Sequence, residues 1–189
     1  MTTLSRYHSQ SLFNFSLLHY PALPLDLLRS GTHVRIPAHS DFGTITLLFQ
    51  DDTGGLEIAD PHSAETETSL GFEKQGKFRP ATPIPGTVVV NLGYLLMRWS
   101  NGRWKNTVHR VSEPPLNGQC VDEPHVIQAG FGSAGGMAPA RYSIPFFSSP
   151  DPSTIIEALP GCWSEDMPKR WKPINVGEYL DRKRQGVYT

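Results

Sequence analysis

The chain has 189 residues, and its 17 Lys+Arg against 18 Asp+Glu leave a net charge of −1, which gives no electrostatic reason to expect nucleic acid or an anionic membrane as partner. Gly and Pro number 17 each, which disfavours an all-helical bundle and favours short strands joined by many turns. Cys120 and Cys162 make neither a disulfide framework nor a zinc knuckle, so a reduced, cytoplasmic setting is the expectation. Met1 to Gln10 lacks the charged and apolar regions of a signal peptide, and no run reaches the roughly eighteen apolar residues of a membrane span.

Residues 1–11 are polar and read as a loose end. Phe13 to Tyr20 reads as a strand stopped by Pro21 and Pro24. Thr44 to Gln50 is rich in β-branched residues and reads as a core strand, followed by a turn at Asp51–Gly55 and a short strand, Leu56–Ala59. The polar stretch from Asp60 to Pro83 reads mostly as a surface excursion. Pro85-Gly86 sets up a buried strand, Thr87–Asn91, and Leu92 to Arg98 has helical spacing. Thr107–Val111, His125–Phe131 and Arg141–Phe147 read as further strands. Two late segments read as helices: Ser153–Leu159, and Val176–Arg184 with Asn175 as cap and Gly186 as stop. About eight strands with Gly/Pro turns suit an antiparallel sandwich or jelly roll. The expectation is one domain over 1–189, with a barrel core over about 12–150 and a tail with helices over 151–189.

His39 and Asp41 are two residues apart, which on a strand puts an imidazole and a carboxylate on one face. His109 lies 109 − 41 = 68 residues further on, again in a strand pattern. Two histidines and one carboxylate on one side of a metal leave the opposite positions open, as in non-haem Fe(II) oxygenases. His-x-Asp alone is a common spacing, and the same three residues also read as a metal-free polar cluster. Arg141 and Ser143 share a strand face as well, and a guanidinium fork beside a hydroxyl is a good carboxylate receptor. An inward arginine needs an anionic partner, from the protein or from a ligand.

In order, His39-x-Asp41, His109 and Arg141-x-Ser143 resemble the iron- and 2-oxoglutarate-dependent dioxygenases, and the flanks resemble the isopenicillin N synthase-like branch. The supporting segments include Leu18-His-Tyr-Pro21, His39 to Gln50, Gly54-Gly-Leu-Glu57, Pro85 to Gly93, Arg98-Trp-Ser-Asn-Gly102, His109-Arg-Val111 and Arg141 to Phe147, in family order over roughly residues 15–150. The resemblance implies a mainly β fold, a double-stranded β-helix (jelly-roll, cupin-like) barrel with a few short helices. It implies His39, Asp41 and His109 as iron ligands that are catalytic through the metal. It implies Arg141 and Ser143 as the seat of the distal carboxylate of 2-oxoglutarate, and Tyr20 as a tyrosine that hydrogen-bonds this co-substrate. Fe(II), 2-oxoglutarate and O2 would then oxidise an unactivated C–H bond of a small organic molecule, by hydroxylation, desaturation or ring closure. Succinate and CO2 would be released.

Tyr94 stands where relatives commonly place Asp, and Leu18 replaces a polar residue. Relatives also carry a long helical region ahead of the barrel, whereas a stub precedes Tyr20. A fragment, a misplaced gene start, and a chain that associates with itself or with a partner subunit are the readings of that difference. Two functional alternatives stay open: a barrel that serves as a binding or partner subunit, and an Fe(II) oxidase of this fold that does not use 2-oxoglutarate. Phe42, Phe131 and Phe147 are placed at the mouth by position, and the helix after Asn175 is a candidate lid.

Overall fold

The computed structural model describes residues 4–10, 13–63, 68–115 and 136–187. After a 3-10 turn at Leu4–Tyr7 come β1 (Phe13–Phe15), β2 (Leu18–Tyr20), β3 (Leu23–Pro24), α1 (Leu25–Arg29), β4 (Ile36–His39), β5 (Ile45–Gln50) and β6 (Leu56–Ala59). Then follow α2 (Ser69–Gln75), β7 (Phe78–Pro80), β8 (Val89–Leu92), α3 (Tyr94–Trp99), β9 (His109–Val111), β10 (Met137–Ala138) and β11 (Arg141–Ser148). The last elements are β12 (Ile155–Ile156), β13 (Ile174–Asn175) and α4 (Val176–Val187).

Two sheets carry the architecture. One has the order β1-β11-β5-β8, with β2 also paired to β11, and the other has the order β4-β9-β6-β7. The principal strands β2, β5, β8 and β11 therefore share one sheet, and β4, β6, β7 and β9 share the other. A chain that keeps crossing between two antiparallel sheets is wound as a jelly roll. Every pairing among the described residues is antiparallel. Directly paired residues share a sheet face, so Phe147, Thr46 and Asn91 form one row and Ser143 and Gln50 another.

Tyr20, Leu56 and Val111 form a buried cluster with Leu18, Ile36, Leu48 and Val89 packed against it. Both sheets contribute to it, so it fills the space between them. A second cluster joins α3, β12 and α4 through Leu95, Leu96, Trp99, Ile156, Val176, Tyr179 and Leu180. A third seats Phe72 of α2 on Ala59 and Val108.

Several sequence expectations need correction. Phe13–Tyr20 is two strands along one continuous register with β11. The break falls opposite Pro145, whose oxygen accepts from Ser16 N at 3.1 Å but which has no N–H to return. The excursion of 60–83 contains α2 and β7. Thr68 caps α2 by accepting from the Gly71 N–H, and Phe72 gives the helix a buried anchor. Ser153–Leu159 is not a helix: its β-branched pair Ile155–Ile156 forms a two-residue strand against β13. The tail thus has one helix, α4, among the described residues. Asn175 caps it as expected, accepting from the Glu178 N–H at 3.0 Å, but Gly186 does not stop it. The expected strand His125–Phe131 lies outside the described residues. Among the described residues no helix is long and apolar enough to cross a membrane.

Candidate metal centre and carboxylate seat

His39 ends β4 and lies opposite His109 of β9, after a register shift between Ile36 and His39. Such a bulge adds an unpaired residue and re-aims the side chains beside it. The two imidazoles stand 4.3 Å apart between ring centroids. Asp41 is not on the same strand as His39, as the two-residue spacing suggested, but in the turn beyond it. That turn is pinned from α3, where Tyr94 N donates to Asp41 O at 2.8 Å and Leu95 N to Gly43 O at 3.0 Å. Only glycine allows this approach: a Cβ on Gly93 would lie 2.3 Å from Gly43 O.

The hydrogen bonds orient three lone-pair donors at one another. His39 Nδ1 contacts Pro37 O at 2.9 Å, and His109 Nδ1 contacts Thr107 O at 3.0 Å. A carbonyl only accepts, so in each neutral imidazole the proton sits on Nδ1 and Nε2 carries the lone pair. Asp41 Oδ2 accepts from Thr46 Oγ1 at 2.5 Å and from Asn91 Nδ2 at 2.7 Å. Asp41 Oδ1 lies 3.9 Å from both Nε2 atoms, beyond hydrogen-bond reach. All three ligand atoms lie within 4.8 Å of one another. Burial, reinforced by the neighbouring His109, pushes the His39 pKa below its ordinary value, which favours the neutral form that ligates metal. Two imidazoles and one carboxylate, each held by an outer hydrogen bond, fit an Fe(II) ion.

Deeper in the barrel, Arg141 is 1% exposed. Its Nε donates to Gly54 O at 3.0 Å, Nη1 to Ser143 Oγ at 3.1 Å and Nη2 to Gln50 Oε1 at 2.9 Å. Tyr20 is its register partner on β2, and the guanidinium stands 5.0 Å from the Tyr20 ring centroid. No carboxylate forms an ion pair with Arg141 among the described residues. Burial lowers its pKa, yet a guanidinium stays charged. Arg35 adds a second positive charge whose buried Nε and Nη1 have no hydrogen-bond partner among the described residues, and burial together with the charge of Arg141 lowers its pKa too. Asp51 offsets the charge of Arg141 only from beyond ion-pair distance, and a buried cation with spare N–H donors fits a ligand carboxylate.

The six site residues singled out in the sequence thus fall into two connected groups, His39–Asp41–His109 and Arg141–Ser143–Tyr20. The sequence reading missed the residues that hold them: Thr46 and Asn91 on Asp41, and Gln50 and Gly54 O on Arg141. The two-residue alternation of β5 carried that signal, because Thr46 and Gln50 fall on one face. Tyr94 stacks on Tyr179 with centroids 5.4 Å apart and accepts from Arg98 Nη1 at 3.1 Å, so it serves the packing of α4. Phe42, next to Asp41, meets Tyr179 edge-on at 6.4 Å, which brings α4 beside the centre. Phe147 shares the inner row with Thr46, and Phe131 lies outside the described residues.

Residues 7–150 match the family described as the 2OG-Fe(II) oxygenase superfamily. The chain belongs to that superfamily. It is 36% identical over 162 residues to the 2-oxoglutarate-dependent dioxygenase htyE of Aspergillus rugulosus, covering 85% of this chain and 41% of htyE. The proline hydroxylase buaE of Petromyces alliaceus is 36% identical over 152 residues, covering 80% of this chain and 39% of buaE. Among solved structures, a full-length Neurospora crassa protein in complex with alpha-KG superposes with a TM-score of 0.71 at 38% identity, over 93% of this chain and 45% of the Neurospora chain. The chain therefore spans less than half the length of these relatives. Fe(II) and 2-oxoglutarate are the cofactor and co-substrate of this oxygenase superfamily, and the His–Asp–His donors and the buried Arg141 fit both.

Proposed function

We propose that this chain is the catalytic barrel of an Fe(II)- and 2-oxoglutarate-dependent oxygenase acting on an unactivated C–H bond of a small organic molecule. The barrel core of about 12–150 carries the site, and the tail of 151–189 buttresses it through α4. His39, Asp41 and His109 hold the iron, and Arg141 with Ser143 seats the distal carboxylate of 2-oxoglutarate beside Tyr20. The observation that carries the reading is the buried Arg141 that forms no ion pair with a carboxylate among the described residues, in the same barrel as the three converging donors.

Bound iron supplies O2 activation, coupled to decarboxylation of the co-substrate to succinate and CO2. The chain orients and shields. The Pro37 and Thr107 carbonyls fix the imidazole tautomers, and Thr46 and Asn91 occupy the Asp41 oxygen that faces away from the histidines, leaving Oδ1 for the metal. Arg141, held by Gly54, Ser143 and Gln50, fixes the direction in which a bound dicarboxylate lies. The likeness to the Neurospora protein, which is described with alpha-KG bound, and to relatives named 2-oxoglutarate-dependent dioxygenases supports this reading.

An anaerobic titration of the metal-free chain with Fe(II), then with 2-oxoglutarate, tests it. The expected result is a saturable visible charge-transfer band that Arg141→Ala weakens and that Asp41→Ala abolishes. Fe(II) uptake without the band overturns the co-substrate assignment in favour of an oxidase. No uptake by a folded chain overturns the metal assignment.

A further inference from the structure

The excursion between β6 and β8 has no role in the site described so far, yet one of its side chains touches both strands that carry the histidines. Glu73 lies on α2. Its Oε2 accepts from the Ala38 N–H at 2.6 Å, and its Oε1 accepts from Arg110 Nη1 at 2.8 Å. Ala38 immediately precedes His39, and Arg110 immediately follows His109. One carboxylate therefore spans the two ligand strands from outside the barrel.

The bulge explains why an acceptor is needed at this place. The β4–β9 register slips between Ile36 and His39, and a bulge leaves an extra residue whose backbone groups fall out of the ladder. The Ala38 N–H is part-buried and finds its acceptor in Glu73; an unsatisfied N–H there would pull the backbone toward another partner. Arg110 is fixed on its other edge by Glu57 Oε2 at 2.7 Å and lies 3.9 Å over the Phe78 ring. Glu57, Arg110 and Phe78 belong to β6, β9 and β7, so Glu73 ties the bulge of the edge strand β4 to a rigid three-strand unit. α2 itself is seated by Phe72 on Ala59 and Val108, and Val108 immediately precedes His109.

We infer that Glu73 is a positioning residue for the metal centre, setting the separation of His39 and His109 through the Ala38 N–H and the Arg110 guanidinium. The inference rests on the metal reading proposed above. It assigns to the excursion the task of holding the bulge in the conformation that aims His39 at Asp41 Oδ1.

Co(II) titration of the intact metal-free chain, read by its visible d–d bands, tests this without turnover. Glu73→Leu removes both contacts and is expected to weaken Co(II) binding by roughly ten-fold or more, the usual effect of losing an outer-shell partner, and to change the band shape. Glu73→Gln keeps an acceptor for Ala38 N–H but loses the charge on Arg110, and is expected to recover part of that loss. Arg79→Ala removes an exposed ion pair with Asp60 in the same excursion and is expected to leave affinity and bands unchanged. A folded Glu73→Leu chain with wild-type affinity and bands overturns the inference. Should Glu73→Leu fail to fold, wild-type affinity in the near-isosteric Glu73→Gln overturns it equally. A wild-type chain that takes up no Co(II) overturns the metal reading itself, and this inference with it.

Discussion

At the scale of single residues, the site is defined by which lone pairs are already engaged. Thr46 and Asn91 use one oxygen of Asp41, and backbone carbonyls use one nitrogen of each histidine. What remains is Asp41 Oδ1 and the two Nε2 atoms, with Oδ1 3.9 Å from each nitrogen and hydrogen-bonded to neither. His39 carries a testable consequence. Its pKa is lowered on folding, chiefly by burial and then by His109, so the unfolded chain takes up its proton first as pH falls. Its contribution to stability is complete above the unfolded value of ~6.5 and is lost as pH falls from there through the lower folded value. The urea midpoint of the metal-free chain is therefore expected to drop between pH 7.5 and 5.5, with His39→Gln flattening the drop. Parallel curves for the two chains would remove His39 as the cause.

At the scale of elements, the close crossing of two turns decides whether Asp41 is in place. The turn after β4 and the start of α3 touch through Gly43 and Gly93, with room for no side chain between them. Gly93→Ala is expected to destabilise the chain by about 1–3 kcal/mol, as overpacking does, and to weaken Co(II) uptake because Asp41 moves with its turn. Unfolding curves and the same titration measure both effects. This scale also shows what the sequence could say. The strands at 45–50, 56–59 and 141–148 were legible because β-branched and aromatic residues alternate there between turn-forming glycines and prolines. That His39, Asp41 and His109 lie together, and Arg141 beside Ser143, could be expected because His-x-Asp and Arg-x-Ser are local spacings and His109 lies in a strand pattern. Elements of two or three residues, such as β12 and β13, were not legible, since each exists only through its partner. The split at Ser16–Leu17 was hidden for a like reason: its cause is Pro145, on another strand. α2 was missed because one buried residue, Phe72, is too little apolar periodicity to stand out from a polar stretch. Glu73 was accordingly out of sight, since its role follows from a bulge on β4 that no local pattern marks.

At the scale of the whole molecule, the five-stranded sheet has two unlike faces. The inner one carries Thr46, Gln50, Asn91 and Ser143. The outer one presents a row of Phe15, Phe146, Leu47 and Val90 in register, with Phe15, Phe49 and Val90 exposed. An apolar area of this kind attracts hydrophobic dyes and promotes self-association. Phe49→Lys together with Val90→Lys is expected to reduce dye binding while leaving the Co(II) titration unchanged, because the substituted side chains face away from the metal donors. A parallel loss of metal affinity would show that the two faces are not independent. The position of β11 has a consequence in time. It is the last of the barrel strands to leave the ribosome, yet it lies in the middle of its sheet, between β1 and β2 on one side and β5 on the other. Among the described strands β1 and β2 pair only with β11, which emerges more than a hundred residues later (141 − 20 = 121 from Tyr20 to its partner Arg141). The three candidate metal donors have all emerged by His109, but the sheet that supports Asp41 through β5 closes only when β11 slides in. The sheet thus stays open from the synthesis of β5 until that of β11, and non-local pairing of this kind forms slowly.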